Sequence, residues 1–310
     1  MRILIIGATP NYNAEHYFGR AFSSLGHGVS YLDQYEGVRR RTLLRLLTTR
    51  SRALRFVLGR LRVNRIRDFG SPDLVLVFKG EMLTEETLRR LSELNAYLFY
   101  TDAYKFPVLL RGRLHYFSGV IVPTERMDFF YRLGARRVLA SHWACDPMIH
   151  RPLGIPKRYD VSFVGTFYPN RWRTLRALRV KPHIFGSMWA LRAGIHHPPA
   201  YGEEYVRIIN ETRVNLNVHH PKDLEADAPN MRTFEVAGSG GFLLTEDMPS
   251  IRFLLPSAET YSSVEELNEK VEYYLRDERA REERAEALVE ECREGHTYSR
   301  RAEEILRSVS

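Results

Sequence analysis

The segment Asp227–Glu246, DAPNMRTFEVAGSGGFLLTE, predicts a loop, a short helix, a glycine-rich corner and a strand. Pro229 and Asn230 are typical of a helix start, because proline fixes the backbone and an asparagine side chain can cap free N–H groups. Three glycines end the helix Met231–Ala237, and Phe242–Thr245 follows as a buried strand. The segment therefore predicts one helix–strand unit of an α/β fold.

The start of this helix combines three features that bind anions. The free N–H groups that follow Asn230, from Met231 onward, the helix dipole and the guanidinium of Arg232 all favour a negative charge. One turn later, Glu235 can accept hydrogen bonds from sugar hydroxyls. The arrangement predicts a nucleoside diphosphate, bound through its phosphates and ribose. The alternative is a surface pair between Arg232 and Glu235, which lie three residues apart on one helix.

The pattern Asn-x-Arg-x-Phe-Glu-x-x-x-x-Gly-x-x-Leu-Leu-Thr, from Asn230 to Thr245, resembles the donor-domain signature of GT-B glycosyltransferases. It is most similar to the CgeB-like (spore maturation protein) branch of the family-1/4-like type. The resemblance extends from about Tyr159 to the C-terminus; the first half matches in architecture and in Trp143–Pro152. It implies an α/β GT-B fold of two Rossmann-like doubly wound domains facing a cleft. The first domain would bind the acceptor and the second a nucleotide sugar, UDP-, GDP- or dTDP-linked.

Further donor-site residues follow from the resemblance. Gly165 and Arg171 match the family's Val-Gly-Ser-x-x-x-x-Arg turn, in which glycine permits close approach of a ligand and arginine forks onto phosphate oxygens. Gly186 and Trp189 end the next strand, where the family binds the nucleotide base; the alternative for Trp189 is an ordinary buried aromatic. His219 ends a later strand, and hydrogen bonding to the donor is favoured over a metal site because no further ligands are suitably spaced.

Catalytic candidates come from both halves of the chain. Related retaining enzymes carry two acids eight residues apart, and Glu235 matches the second, which binds ribose. Asp227 stands at the first position with a shorter side chain, so the stereochemical outcome stays open, as does a non-catalytic sugar-nucleotide-binding module. His16 and Asp102 follow two predicted strands of the first half, and a histidine oriented by an aspartate is the base in some inverting enzymes. The alternative is a surface histidine and a capping aspartate.

Positive charge is concentrated in one segment. The chain has a formal net charge of +8, and Arg39–Arg67 contains eleven arginines and no acidic residue. Leucines and valines among the arginines suit one or two amphipathic helices with a basic face. Three interpretations stay open: a solvated helix face, a surface that docks on anionic lipid, and a nucleic-acid-binding surface. The lipid interpretation implies a lipid-linked or cell-envelope acceptor, whereas nucleic-acid binding lacks a matching recognition motif.

The bulk properties suit a protein of two domains. The length of 310 residues accommodates two α/β domains, and no apolar stretch approaches the roughly 18 residues of a membrane span. Two distant cysteines, with no metal or redox spacing, suit a reducing cytoplasm, with peripheral association at the inner membrane face as a further expectation. No metal and no cofactor other than the donor co-substrate are expected. The predicted domains are 1–152 for the acceptor, 153–294 for the donor, and a C-terminal helix, 295–310, that packs back on the first domain.

Overall fold

The structure, a computed structural model, describes residues 1–8, 12–35, 70–102, 104, 110–189 and 193–309. The chain divides into two compact units, Met1–Ser141 with Ala302–Ser310, and His142–Arg301. The arginine-rich segment Arg39–Arg67 lies outside the described residues. Within the described part of the chain, no helix is long and apolar enough to cross a membrane.

The first unit is built on a six-stranded parallel sheet with the strand order β2-β1-β3-β4-β5-β6. All five residues of β3 are fully buried, as expected for a parallel strand whose sheet is covered on both faces. The strands are β1 (Arg2–Gly7), β2 (Gly28–Asp33), β3 (Leu74–Phe78), β4 (Ala96–Phe99), β5 (Gly119–Val122) and β6 (Val138–Ala140).

The helices described in this unit are α1 (Ala14–Ser24), α2 (Glu85–Leu91) and α3 (Asp128–Arg132), with a short 3-10 helix at Leu114–Tyr116. Asn13 caps α1, because its side-chain oxygen accepts a hydrogen bond from the His16 N–H at 3.1 Å. Near the C-terminus, Val309 O accepts a hydrogen bond from Asn95 Nδ2 at 3.2 Å, so the last helical turn contacts the loop before β4.

The second unit has a six-stranded parallel sheet with the strand order β12-β11-β10-β7-β8-β9. Its strands are β7 (Tyr159–Val164), β8 (His183–Phe185), β9 (Ile195–His197), β10 (Thr212–Asn217), β11 (Leu243–Glu246) and β12 (Glu259–Tyr261). Its described helices are α4 (Pro169–Arg176), α5 (Gly202–Glu211), α6 (Pro221–Glu225), α7 (Met231–Gly238), α8 (Pro249–Leu254), α9 (Val264–Arg276), α10 (Glu278–Gly295) and α11 (Tyr298–Val309), the last of which ends in the first unit.

Glycines fix the C-terminal end of α7. A Cβ atom on Gly238 would lie 2.6 Å from Cys145 Cβ, and one on Gly241 would lie 2.5 Å from Ile209 Cγ2. Both glycines therefore lie too close to neighbouring side chains for any residue with a Cβ atom to fit unchanged.

The same region brings the two cysteines together. Both cysteines are buried and reduced, and a hydrogen bond with Cys145, together with burial, raises the pKa of the Cys292 thiol.

The prediction of an α/β fold with two doubly wound sheets is confirmed. The apolar pattern of the sequence predicts all six strands of the first half. In the second half it predicts only four, at Asp160–Val164, His183–Phe185, Arg213–Val218 and Phe242–Thr245, and all four form. The two missed strands are β9 and β12, which have three residues each and lie at the edges of the sheet. They lack an apolar pattern, and only their pairing with one neighbouring strand defines them. Ser263 and Glu266 have the sequence spacing of a capping box, and the cap forms, since Ser263 Oγ accepts from Glu266 N at 3.1 Å.

Candidate functional site

The order of strands in the second unit locates a candidate site. Numbered from β7, the sheet has the order 3-2-1-4-5-6, so the direction of strand addition reverses between β7 and β10. In open α/β sheets, ligands bind at this point, outside the carboxyl ends of the two strands. The residues at those ends are Gly165, directly after β7, and Asn217, the last residue of β10.

Asn217 connects the end of β10 to the first turn of α7. Its side chain is fully buried, and its Oδ1 accepts hydrogen bonds from Asn230 Nδ2 at 3.1 Å and from Arg232 Nη1 at 3.4 Å. Its Nδ2 donates to Thr233 Oγ1 at 3.0 Å. These contacts orient the amide unambiguously and hold Arg232 at the carboxyl edge of the sheet.

Two arginines lie beside one aromatic ring at this edge. The guanidinium carbons of Arg171 and Arg232 lie 5.4 and 5.6 Å from the centre of the Phe163 ring. Among the residues that the structure describes, neither guanidinium forms a salt bridge. Burial, followed by the positive charge of Arg232, lowers the pKa of Arg171 to about 9. Two neighbouring cations without a carboxylate partner favour an anionic ligand.

Arg171 is the more rigid of the two. Only 6% of the residue is exposed, and its Nε and Nη1 donate to Val218 O at 2.8 Å and to Thr166 O at 2.9 Å. Arg171 therefore ties the loop after β7 to the loop after β10. Because Nε and Nη1 already donate to these two carbonyl groups, the predicted phosphate contact from Arg171 must use the remaining N–H groups of the guanidinium.

The glycines of this edge are required by packing. A Cβ atom on Gly186 would lie 2.0 Å from the carbonyl oxygen of Gly165, which also accepts a hydrogen bond from Trp189 Nε1 at 2.9 Å. A Cβ on Gly165 would lie 3.1 Å from Arg232 Nη2. Trp189 is half-buried and meets the rings of Phe163 and Phe167 edge to face. The two loops thus approach one another closely enough to place Trp189 next to the arginines.

The N-terminus of α7 lacks a side-chain cap. Asn230 occupies the N-cap position with extended backbone, and its Nδ2 donates to Asn217 Oδ1, but its Oδ1 accepts no hydrogen bond from the helix. The prediction that the Asn230 side chain caps the helix is therefore wrong. Thr233 N donates to Asn230 O at 3.1 Å, and no described contact uses the N–H groups of Met231 and Arg232, which are left for another acceptor.

Glu235 is buried one turn further along α7. The residue is 9% exposed and, within the described part of the chain, forms no ion pair with Arg232; its Oε1 lies 3.8 Å from His150 Nε2. The alternative of a surface pair with Arg232 is wrong for this reason. Burial raises the pKa of Glu235 to about 7, against the opposing effects of Arg232 and the Tyr205 hydroxyl.

His219 supports the site from inside the protein. The ring of His219 is fully buried. The backbone N–H of His219 donates to Glu246 Oε2 at 2.5 Å, and the ring Nδ1 lies 3.3 Å from the same oxygen. Its Nε2 lies 3.4 Å from Asn217 Nδ2. Over residues 1–8, 12–35, 70–102, 104, 110–189 and 193–309, no three histidine, cysteine or acidic side chains are grouped to hold a metal ion. The geometry makes His219 a neighbour of Asn217.

Asp227 caps a helix. Its backbone has a positive φ of 49°, and its Oδ1 accepts hydrogen bonds from Ser250 N at 3.1 Å and Ser250 Oγ at 2.7 Å, at the start of α8. One carboxylate oxygen is therefore committed to the first turn of that helix.

Comparison with known proteins gives one family match, and it spans most of this site. Residues 170–307 match the model of a family described as glycosyl transferase-like. The matched part is less than half of the chain. It contains α7, Arg171, Arg232 and Glu235. No curated protein sequence matches the chain.

Solved glycosyltransferase structures share the whole architecture. Sucrose-phosphate synthase from Thermosynechococcus elongatus is similar with a TM-score of 0.71 at 10% identity, covering 99% of this chain and 98% of that one. Trehalose-6-phosphate synthase from E. coli, bound with UDP-2-fluoro glucose, has a TM-score of 0.69 at 11% identity, covering 100% and 99%. The DNA-modifying β-glucosyltransferase has a TM-score of 0.65 at 13% identity, covering 100% and 99%. The chain therefore has the GT-B fold, as the resemblance implied, whereas the CgeB-like branch stays a prediction.

The remaining predicted residues, His16 and Asp102, lie in the first unit. The expected pairing of His16 with Asp102 is wrong, because Asp102 forms an ion pair with Lys79 Nζ at 3.0 Å. His16 instead lies in the first turn of α1, with its ring 6.2 Å from that of Tyr12 and 5.9 Å from that of Tyr17.

Lys79 was missed by sequence reasoning. It directly follows β3 in a left-handed conformation, with φ of 60°, next to the point between β1 and β3 where the strand order of the first unit reverses. Burial acts to lower the pKa of Lys79, but Asp102, Glu81 and Glu15 outweigh it, and the pKa is raised. Its position after a fully buried strand is the signal that could have identified it.

Proposed function

We propose that the protein transfers a sugar from a nucleotide-diphosphate sugar to a hydroxyl group of an acceptor. The observation that carries this proposal is the pair of arginines without a salt bridge, Arg171 and Arg232, beside the uncapped N-terminus of α7. Two positive charges and free N–H groups at one sheet edge suit a diphosphate. The glycosyltransferase-like family match and the GT-B fold support the same ligand.

In the proposed reaction, the bond between the sugar C1 and the diphosphate oxygen breaks, and a bond from C1 to the acceptor oxygen forms. The proton of the acceptor hydroxyl goes to a base, and the nucleoside diphosphate leaves with an additional negative charge. Arg232, Arg171 and the dipole of α7 stabilise this developing charge. Because these groups supply the electrostatic stabilisation, we infer that the reaction needs no metal ion.

The nucleoside would lie at the carboxyl edge of the sheet in the second unit. The buried carboxylate of Glu235, one turn after Arg232, would accept hydrogen bonds from the ribose hydroxyls. The loop of Gly186 and Trp189 would contact the base, by stacking on Trp189. UDP as the nucleotide is supported by the similar proteins bound with UDP sugars, among them the E. coli protein and the phage β-glucosyltransferase.

The acceptor would bind the first domain, residues 1–152, and the donor the second, residues 153–294, with the helix 295–310 completing the first. Asp102 is the proposed base, because a carboxylate after β4 can accept the proton of a hydroxyl. Its ion pair with Lys79 holds the carboxylate next to the point where the strand order of the first unit reverses. Asp227 keeps one carboxylate oxygen that no described contact uses, and we retain it as a second candidate base.

Calorimetry against UDP-glucose, GDP-mannose and dTDP-glucose, followed by a hydrolysis assay with each sugar nucleotide that binds, tests the donor proposal. We expect micromolar binding of one nucleotide class and slow release of its free sugar, since water replaces a missing acceptor. The proposed function would be contradicted if the protein bound none of these sugar nucleotides and also did not bind pyrophosphate.

We further propose that Arg39–Arg67 docks the protein on an anionic membrane surface, at the inner face of the membrane, where a lipid-linked or envelope acceptor would be available. The support is the sequence alone: eleven arginines and no acidic residue. Sedimentation with anionic but not neutral liposomes, weakened by salt and by reversal of Arg41, Arg45 and Arg52, is the expected result. Tight binding to duplex DNA or RNA without liposome binding would favour the nucleic-acid alternative.

A further inference from the structure

The segment Asp146–His150, DPMIH, holds its histidine rigidly. Asp146 Oδ1 accepts a hydrogen bond from Met148 N at 3.0 Å, and Asp146 O accepts from Ile149 N at 2.9 Å and from His150 N at 2.7 Å. The segment is thus one closed turn. The His150 side chain is fully buried, so this turn presents the ring to the protein interior.

The hydrogen bonds of the turn also determine the tautomer of His150. Asp146 N donates to His150 Nδ1 at 2.9 Å, so Nδ1 is an acceptor and the neutral ring carries its proton on Nε2. Burial lowers the pKa of His150 to about 4, which keeps the ring neutral at physiological pH. The ring therefore has one N–H group, and the tautomer fixes its direction.

That N–H group lies next to the buried carboxylate of α7. His150 Nε2 is 3.8 Å from Glu235 Oε1, about 0.8 Å beyond ordinary hydrogen-bond length. Hydrogen bonds at active sites are often long before a ligand binds and shorten in the complex. The other groups that act on Glu235 are Arg232, on the same helix, and the hydroxyl of Tyr205, on α5.

We propose that His150 is a positioning residue for the donor: its Nε2–H donates to Glu235 Oε1 and leaves the other carboxylate oxygen, charged and correctly turned, for the ribose hydroxyls. This inference rests on the proposed function, because it assigns the ribose to Glu235. A carboxylate in an apolar environment favours its protonated form, in which it accepts hydrogen bonds less well. A fixed neutral donor opposes that protonation without adding a positive charge near the diphosphate.

The first test needs no ligand. The pKa of the Glu235 carboxyl is measured by carbon NMR titration in the wild type, in His150→Gln, which keeps an N–H donor, and in His150→Phe, which keeps the volume but removes the donor. We expect a pKa about half a unit higher in His150→Phe and a value near wild type in His150→Gln. If His150→Phe does not fold, His150→Asn serves, because its amide is too short to reach Glu235. An unchanged pKa in the variant without the donor overturns the proposal.

The second test uses UDP-glucose, whose diphosphate is esterified at both ends and does not titrate near neutral pH. We expect His150→Phe to weaken UDP-glucose binding about tenfold at pH 7 and to move the pH dependence of binding upward, while His150→Gln restores it within about threefold. Pyrophosphate binding should be the same in all variants, a result that a general loss of structure would not produce.

The two proposals fail in different ways. If wild-type protein binds UDP-glucose and His150→Phe binds it equally well, the role of His150 is refuted and the donor function stands. If wild-type protein binds no sugar nucleotide at all while the Glu235 pKa still depends on His150, the donor function fails and takes the ribose assignment with it, and the contact between the two side chains remains.

Discussion

Replacing the amide of Asn217 by a carboxylate should give Arg232 a counterion inside the protein. Asn217→Asp changes a single atom, because the oxygen that accepts from Asn230 and Arg232 is retained. The new oxygen faces Thr233 Oγ1, 3.0 Å from the original nitrogen, and the threonine hydroxyl can rotate to donate to it. The original nitrogen also lies 3.4 Å from His219 Nε2, so the substitution is compatible with the folded structure when the histidine presents a ring N–H to the new oxygen.

The magnitude follows from the 3.4 Å separation between the Asn217 oxygen and Arg232 Nη1. Two unit charges at that distance attract by about 5 kcal/mol at an effective dielectric constant of about 20. Burying the carboxylate at this fully buried position costs several kcal/mol in return, so we expect a net coupling of about 1.5–3 kcal/mol. A diphosphate must overcome this coupling to reach Arg232, which corresponds to about 10- to 150-fold weaker binding.

Calorimetry with UDP and with pyrophosphate measures this effect. Both ligands should lose the same factor, because the competition concerns the phosphates and not the nucleoside. In the Asn217→Asp background, Arg232→Ala should cost little more, and this double-mutant cycle separates competition for Arg232 from loss of structure. Wild-type affinity in Asn217→Asp, or a loss confined to UDP, would refute the assignment of the phosphates to Arg232.

Four further predictions use matched variants. Arg232→Ala should weaken nucleoside diphosphate binding by about 1.5–3 kcal/mol in calorimetry, whereas the exposed Arg173→Ala should not change it. Gly186→Ala should lower the free energy of unfolding in urea by about 2 kcal/mol or more, because its Cβ would lie 2.0 Å from a backbone oxygen, while Gly295→Ala, with nothing within 4 Å, should be neutral. The Glu235 carboxyl has a pKa of about 7 in the folded protein and near 4.5 in the unfolded protein. The free energy of unfolding of the wild type should therefore fall as pH rises between those values, by on the order of 3 kcal/mol. Urea unfolding at pH 5 and 8 measures this fall, and Glu235→Gln should abolish it. Transfer activity should survive EDTA, and a loss restored by Mn²⁺ would contradict a mechanism based on α7.

The sequence predicted the elements that carry strong local patterns. The helix Met231–Gly238 was expected to end at residue 237, and the C-terminal helix predicted within 295–310 forms as α11, Tyr298–Val309. Buried parallel strands such as β3 are continuous apolar runs and are recognisable without a structure. The edge strands β9 and β12 contain charged, polar or histidine residues in most positions, so only their pairing with a neighbour reveals them.

The candidate site was predicted in its parts and not in its connections. Arg171 and Arg232 were chosen by residue type and spacing, and the structure places both beside Phe163. Arg232 donates to Asn217, 15 positions earlier in the chain, and Arg171 donates to Val218 O, 47 positions later. Side-chain direction at the end of a strand is not encoded in local spacing.

The failures have the same physical origin. His16 and Asp102 were paired by analogy, but the nearest opposite charge to Asp102 is Lys79, which another strand supplies. His150 was not selected as a site residue, because the sequence contains no signal that its ring faces Glu235. Long-range contacts of single side chains depend on tertiary packing, which a pattern along the chain does not report.

The glycines behind α7 imply that loss of donor binding can arise at positions that never touch the donor. The helix has eight residues and is about 12 Å long, so a shift at Gly238 is transmitted to its first turn. A methyl group at residue 238 would press against Cys145 and push the helix along its axis. In a genetic screen, such alleles would be rescued by a smaller residue at position 145, and this suppression would identify the packing behind the helix as part of what determines donor affinity.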